Sequence, residues 1–180
     1  MNPFSDSERP VPPLSDRDHI RGASEATVVL MEYGDFQCPQ SGQAYTTIRA
    51  LQEKLGPRLC FVFRHFPQPQ SYPQAQKAAE SAEAAAAQGK FWEMHDTLFS
   101  NQPALEDGNL VEYAASIGLD MPRFLRELAD HVHQERVQTD IDSAQNYGVS
   151  HTPTFFIGIL HQGTQNLEVL LMKILEATAA

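Results

Sequence analysis

A run of β-branched and apolar residues, Thr27–Tyr33 (TVVLMEY), is cut by Gly34-Asp35-Phe36-Gln37 and followed at once by Cys38-Pro39. The run has the length of a buried strand. Pro39 suits the first turn of a helix, where its missing N–H would go unused in any case. That helix extends to about Leu55, and Gly56-Pro57 stops it. Leu59–Phe63 (LCFVF) is a second strand, after which Pro67, Pro69 and Pro73 mark a turn region. From about Pro73 to Gly148 the pattern is helical. Ala75–Gln88 is alanine-rich, and Phe91, Trp92, His95, Leu98 and Phe99 recur at helical spacing. Leu110, Tyr113, Ala114 and Ile117 form another apolar stripe. Asp120 reads as an N-cap with Pro122 in the first turn, and Gly148 as a C-terminal stop. Thr154–Ile159 (TFFIGI) returns to strand character, with a turn near Gly163. Leu167, Leu170, Leu171, Ile174 and Leu175 then space out one face of a closing helix. The order is β-α-β, a helical block, β, turn, α. The Pro- and Ser-rich start, residues 1–18, reads as an extended arm.

A chain of 180 residues with 42% hydrophobic and 20% charged residues is an ordinary globular protein. Its length allows burial of about 70% of the unfolded surface, so it needs neither disulfides nor metal to fold. A net charge of −10 argues against nucleic-acid and anionic-membrane partners, which reward clustered positive charge. The N-terminus shows no basic start followed by an apolar core, which predicts a cytoplasmic protein. No His, Cys and Asp set has zinc spacing, so no metal site is expected. The two cysteines, Cys38 and Cys60, make no disulfide framework.

Cys38 is placed where a strand hands over to a helix. Unpaired N–H groups and the helix dipole favour an anion there, hence the thiolate, the attacking form in thiol–disulfide exchange. An inert, packed cysteine is the other reading of this local pattern.

The segment Glu32–Ser41 (EYGDFQCPQS) resembles the active-site segment of the DsbA-like branch of the thioredoxin superfamily. Phe61–Pro67 (FVFRHFP), Gly89–Asp96 (GKFWEMHD) and Gly148–Ile157 (GVSHTPTFFI) resemble three further segments of that family, in the same order. The resemblance implies an α/β thioredoxin fold with a helical domain inserted between its βαβ and ββα halves. On this chain the first half occupies residues 19–72, the insertion 73–147 and the second half 148–180. It also implies that Thr152-Pro153 is cis, faces Cys38, and presents the Thr152 backbone to an extended substrate.

The family's motif ends in a second cysteine, and here position 41 is Ser. A hydroxyl cannot resolve a mixed disulfide. This leaves a natural monothiol enzyme, a degenerate polypeptide-binding relative, or a chain whose resolving cysteine has been replaced. The monothiol reading leads: Cys38 attacks a protein or small-molecule disulfide, and glutathione or another small thiol completes turnover, with no cofactor bound. A redox-inactive binding module and a glutathione-dependent transferase or isomerase are the alternatives. Ser41 is expected to donate to the Cys38 sulfur, one helical turn away. Pro39, Gln40, His151, Thr152 and Pro153 are expected to line the binding site, Gln40 offering only a neutral hydrogen bond. His151 stabilises the thiolate if it lies near the sulfur, and is otherwise a solvated loop residue. Glu32 is either a buried proton relay or structural. Arg64 and His65 either meet an anion or are solvated strand-end charges. Cys60 is expected in the core, outside the mechanism.

Overall fold

The computed structural model describes residues 11–23, 26 and 28–159. The turn expected near Gly163, the stripe Leu167–Leu175 and the first ten residues of the arm lie outside the described residues. Among the described residues four strands form one sheet: β1 (His19–Arg21), β2 (Val28–Gly34), β3 (Leu59–His65) and β4 (Thr154–Ile159), in the order β1-β3-β2-β4. β2 and β3 run parallel, with Val28 opposite Leu59 and Gly34 opposite His65. β4 returns antiparallel to β2, and β1 antiparallel to β3. Every residue of β2 and β3 is buried. Both are covered on two faces, which explains why they read as continuous apolar runs rather than alternating ones.

The crossover from β2 to β3 is α1 (Pro39–Leu55), closed by a 3-10 turn at Gly56–Arg58. It buries Ala44, Ile48, Leu51 and Leu55 against the Val28, Leu30, Phe61 and Phe63 side of the sheet. Each of the larger side chains contributes about 2 kcal/mol by leaving water. The opposite side carries Val29, Met31, Tyr33, Cys60, Val62 and Phe156, packed on Ala144 and Val149.

Between β3 and β4 the chain makes five helices: α2 (Ala75–Ala86), α3 (Phe91–Ser100), α4 (Asp107–Ser116), α5 (Met121–Ala129) and α6 (Gln134–Asn146). Phe91 is in the core and Trp92 is packed against it, its indole Nε1 donating to Ile20 O at 3.1 Å. Asp120 caps α5 by accepting from Arg123 N at 3.1 Å. The helical stretch from Asp120 to Gly148 is broken after Ala129. There His131 takes a positive φ of 52°, and Val132 N donates back to Glu127 O at 3.0 Å. This is the αL stop usually given to glycine, which is why composition did not reveal it. Gly148, at φ 73°, closes α6 in the same way.

β3 runs two residues further than its apolar run, so Arg64 and His65 are buried rather than solvated. Arg64 donates to Asp18 at 2.7 and 2.8 Å, to Tyr33 Oη at 2.9 Å and to Pro13 O at 2.8 Å. These bonds pin the end of the N-terminal arm to the sheet. Burial opposes the Arg64 charge, but the Asp18 and Tyr33 contacts outweigh it and hold the guanidinium above its ordinary pKa.

Candidate active site

Cys38 is the N-cap of α1, with extended backbone (φ −71°, ψ 122°), Pro39 in the first turn and no acidic residue there. Its N–H donates to Asp35 O at 3.2 Å, and its carbonyl accepts from Gly42 N at 3.1 Å, the first bond of the helix. The turn before it is held by Asp35, whose carboxylate accepts from Gln37 N at 2.8 Å and from Gln68 N at 2.9 Å. Burial pushes the Asp35 carboxyl up, against the pull of these N–H groups. Gln102, just after α3, donates to both Phe36 O and Cys38 O at 2.8 and 2.9 Å. Gly42 permits this, since a Cβ there would collide with the Gln102 side chain.

The Thr152-Pro153 peptide bond is cis. Thr152 O lies 3.4 Å from Cys38 Sγ, and Gln40 Oε1 lies 3.2 Å from it. In both contacts the thiol is the donor. Cys38 is only 2% exposed. An attacking role needs a reachable sulfur, yet Thr152 of the cis-proline loop and Gln40 lie against it. The nearby Cys38 thiol, then burial, raises the phenol of Tyr72, between β3 and α2, above its ordinary pKa.

Ser41 is fully buried, and its Oγ accepts from Asp35 N at 3.3 Å. Its oxygen serves the turn, and its hydroxyl makes no hydrogen bond to the Cys38 sulfur, contrary to expectation. Pro39 and Gln40 are exposed at the helix start. His151 is exposed beside Ser150, its Nδ1 3.4 Å from Ser150 Oγ, so the cis-proline loop meets the sulfur through Thr152. Cys60 is buried at the far end of β3, five residues from His65 and thus about 16 Å along the strand from the Cys38 end. That distance is beyond disulfide reach. Burial pushes its thiol pKa up.

Glu32 projects from β2 into the core beneath α1. Among the described residues its Oε1 has no partner, and neither do Nε2 of Gln52 and Nε2 of His95, two residues that line the same small cavity. Burial pushes the Glu32 pKa up to about 8 and His95 down to about 4. Sequence reasoning placed His95 only as part of an apolar stripe.

His19, His65 and Glu83 bring three ligand-type atoms within 4.8 Å of one another. Both imidazole Nε2 atoms contact Glu83 Oε1, at 2.7 and 2.8 Å, and the Arg136 guanidinium stands 3.8 Å from that oxygen. Burial raises the Glu83 carboxyl, but the two histidines outweigh it and hold it well below the usual range. A cation there would face Arg136 directly, and His65 Nδ1 lacks the acceptor that orients a metal-binding imidazole. The donor set fits a buried ion-paired knot better than a metal centre.

A thioredoxin family model matches residues 14–173. The chain belongs to the thioredoxin family. Na(+)/H(+) antiporter NhaA 3 of Salinispora tropica is 45% identical over 171 residues, covering 94% of this chain and 26% of that protein. Na(+)/H(+) antiporter NhaA 1 of Mycolicibacterium vanbaalenii is 41% identical over 172 residues, covering 94% of this chain and 27% of that one. The chain therefore spans about a quarter of the length of the curated relatives it matches. Solved structures share the fold. A thioredoxin-like oxidoreductase from Silicibacter pomeroyi DSS-3 superposes with a TM-score of 0.72 at 22% identity, over 92% of this chain and 94% of that one. BdbD from Bacillus subtilis gives 0.71 at 19%, over 91% and 94%. The Wolbachia pipientis protein alpha-DsbA1 gives 0.71 at 20%, over 93% and 94%. The fold is that of the DsbA-like thioredoxins, with helices α2 to α6 set between β3 and β4.

Proposed function

We propose that this thioredoxin is a thiol–disulfide oxidoreductase working through Cys38 alone, with glutathione or another small thiol as co-substrate. One observation carries the reading: Cys38 is the N-cap residue of α1, and its Sγ lies 3.4 Å from Thr152 O beside the cis-proline. The residue where a second thiol would sit is a buried Ser engaged by Asp35 N. In the first step the Cys38 thiolate attacks one sulfur of a substrate disulfide. A Cys38–substrate disulfide forms, the substrate S–S bond breaks, and the other substrate sulfur leaves as a thiolate. A small thiolate then attacks the substrate sulfur of that bond and expels Cys38 as thiolate. The exposed Pro39, Gln40 and His151 rim the approach, and Thr152 offers its backbone to an extended substrate. A reducing, cytoplasmic compartment suits this cycle, since it supplies the second thiol.

Mass spectrometry after exposure to oxidised glutathione tests the reading. One adduct on Cys38, absent from Cys38→Ser, is expected, with turnover of glutathione mixed disulfides and poor reduction of insulin without added thiol. A chain that takes up no glutathione sinks it. The near-complete burial of Cys38 supports a second reading, a polypeptide-binding module that uses the same loop without chemistry. Binding of an extended peptide that survives unchanged in Cys38→Ser would favour that reading. The names of the relatives support a further part of the proposal: the domain works beside a cation antiporter, on the same chain or a separate one. Co-purification with such a transporter, lost on deletion of this domain's partner sequence, is the corresponding check.

A further inference from the structure

The turn between α3 and α4 reaches across to the start of α1. It is closed by Ala104 N, which donates to Asn101 O at 2.8 Å. Side chains pin it at both ends. Asn101 Nδ2 donates to Thr97 O at 2.8 Å, and Tyr113 Oη to Ala104 O at 2.8 Å. Gln102 stands on this fixed base, and its amide uses both hydrogens. Nε2 donates to Phe36 O at 2.8 Å and to Cys38 O at 2.9 Å. The two carbonyls bracket Gln37, so the amide holds the step that delivers the chain to the helix. Phe36 and Cys38 are both buried, where an unpaired carbonyl is costly.

Cys38 O has a second donor, Gly42 N, at 3.1 Å. The extended N-cap conformation of Cys38 thus rests on one bond from within α1 and one from the inserted helices. Gly42 makes room for the second. A Cβ there would stand 2.0 Å from Gln102 Oε1 and 2.6 Å from its Cδ. Glycine weakens a helix relative to alanine. At this position its bare Cα is the seat of the Gln102 amide.

We propose that Gln102 is a positioning residue for the nucleophile: through Phe36 O and Cys38 O it holds Cys38 in the N-cap conformation that keeps the sulfur at the helix start. This rests on the reading of Cys38 as a reactive thiol. Gln102 acts through the backbone, and no bond to it forms or breaks. The helix N-terminus favours a thiolate only within its first turn. Without the Gln102 amide, the segment Phe36–Cys38 loses its outer support, its carbonyls turn toward water, and the sulfur gives up part of that stabilisation.

The experiment is the pH profile of iodoacetamide labelling at Cys38 in the full chain, read by mass spectrometry with buried Cys60 as internal reference. Two variants remove the same contact from opposite sides. Gln102→Met keeps the reach of the side chain without its N–H donors. Gly42→Ala keeps Gln102 but displaces its amide, and it favours the helix by propensity, so its effect does not come from a weakened fold. Each is expected to move the midpoint up by about half a pH unit, the size of a helix-dipole contribution, and to slow labelling near pH 7 about three-fold. The double variant is expected to match the single ones, because both lose one shared interaction. Neither substitution changes a charge. The titratable groups around the turn stay in place: Asp35 within it, Tyr72 between β3 and α2, and His65 and His95 beside the Phe36 ring. Superimposable profiles for wild type and both variants overturn the proposal alone, as do two shifts that add in full in the double variant. A shift in Gln102→Met with none in Gly42→Ala marks a merely structural role and overturns it too. A wild-type sulfur that takes no label at any pH overturns the oxidoreductase reading and this one with it.

Discussion

Ser41 decides the chemistry at the scale of single residues. It sits one helical turn from Cys38, so spacing alone aims it at the sulfur, yet its Oγ is spent on Asp35 N. Ser41→Cys puts a thiol where the first turn of a helix brings two Cα atoms to about 5 Å, within disulfide range. We expect that variant to close an internal disulfide when treated with oxidised glutathione and to keep no lasting adduct, as checked by intact mass. Glu32 was visible as a charged residue in an otherwise apolar strand. Its lack of any partner was not, because Gln52 and His95 reach its cavity from two other helices. In the folded protein Glu32 keeps its proton to about pH 8, whereas an ordinary Glu ionises near 4.5. The folded state thus binds the extra proton, and stability falls as pH rises through that window. Glu32→Gln removes the penalty. Its gain over wild type in denaturant melts should be absent at pH 4.5 and reach on the order of 3 kcal/mol at pH 7. A gain independent of pH would show that Glu32 is not held neutral.

Whole elements were the most legible part of the chain. The expected bounds of α1 match its observed ones, since Pro39 and Gly56-Pro57 act locally on backbone angles. β2 was also readable, displaced by one residue. The end of β3 was not, because Arg64 and His65 look like surface residues until Asp18 and Glu83 are there to pair with them. The break between α5 and α6 was hidden too, since His131 does a turn's work without a turn residue's signature. The N-cap of α5 was readable and gives a test. Asp120→Ala removes the acceptor for Arg123 N and should cost about 1 kcal/mol in a chemical melt. The labelling profile of Cys38 should not change, because the capped helix lies outside the elements that touch the sulfur.

On the scale of the molecule, the arm, the sheet and the helical block are joined by buried charge. Asp18 and Arg64 are almost wholly shielded from water, and Arg136 ties Asp140 and the carbonyl of Arg17 to the same region. Removing one partner of such a pair strands the other. Asp18→Ala is therefore expected to lose roughly 3 kcal/mol in equilibrium unfolding, well beyond a surface ion pair. A loss below about 1 kcal/mol would mean that Arg64 is satisfied by Tyr33 and the Pro13 carbonyl alone. That Pro153 would face the sulfur was implied only by the resemblance to DsbA-like proteins. The amino-acid sequence by itself determined the order of β2, α1, β3, the helical block and β4, the cysteine at the helix start and the want of a second thiol beside it. Each of these is written in neighbouring residues, through backbone geometry or side-chain chemistry. Only the tertiary structure decided that Gln102 braces the turn, that Glu32 has no partner among the described residues and that the thiol is covered. Those contacts join segments from 20 to more than 100 positions apart, and no local spacing records how the chain returns to itself.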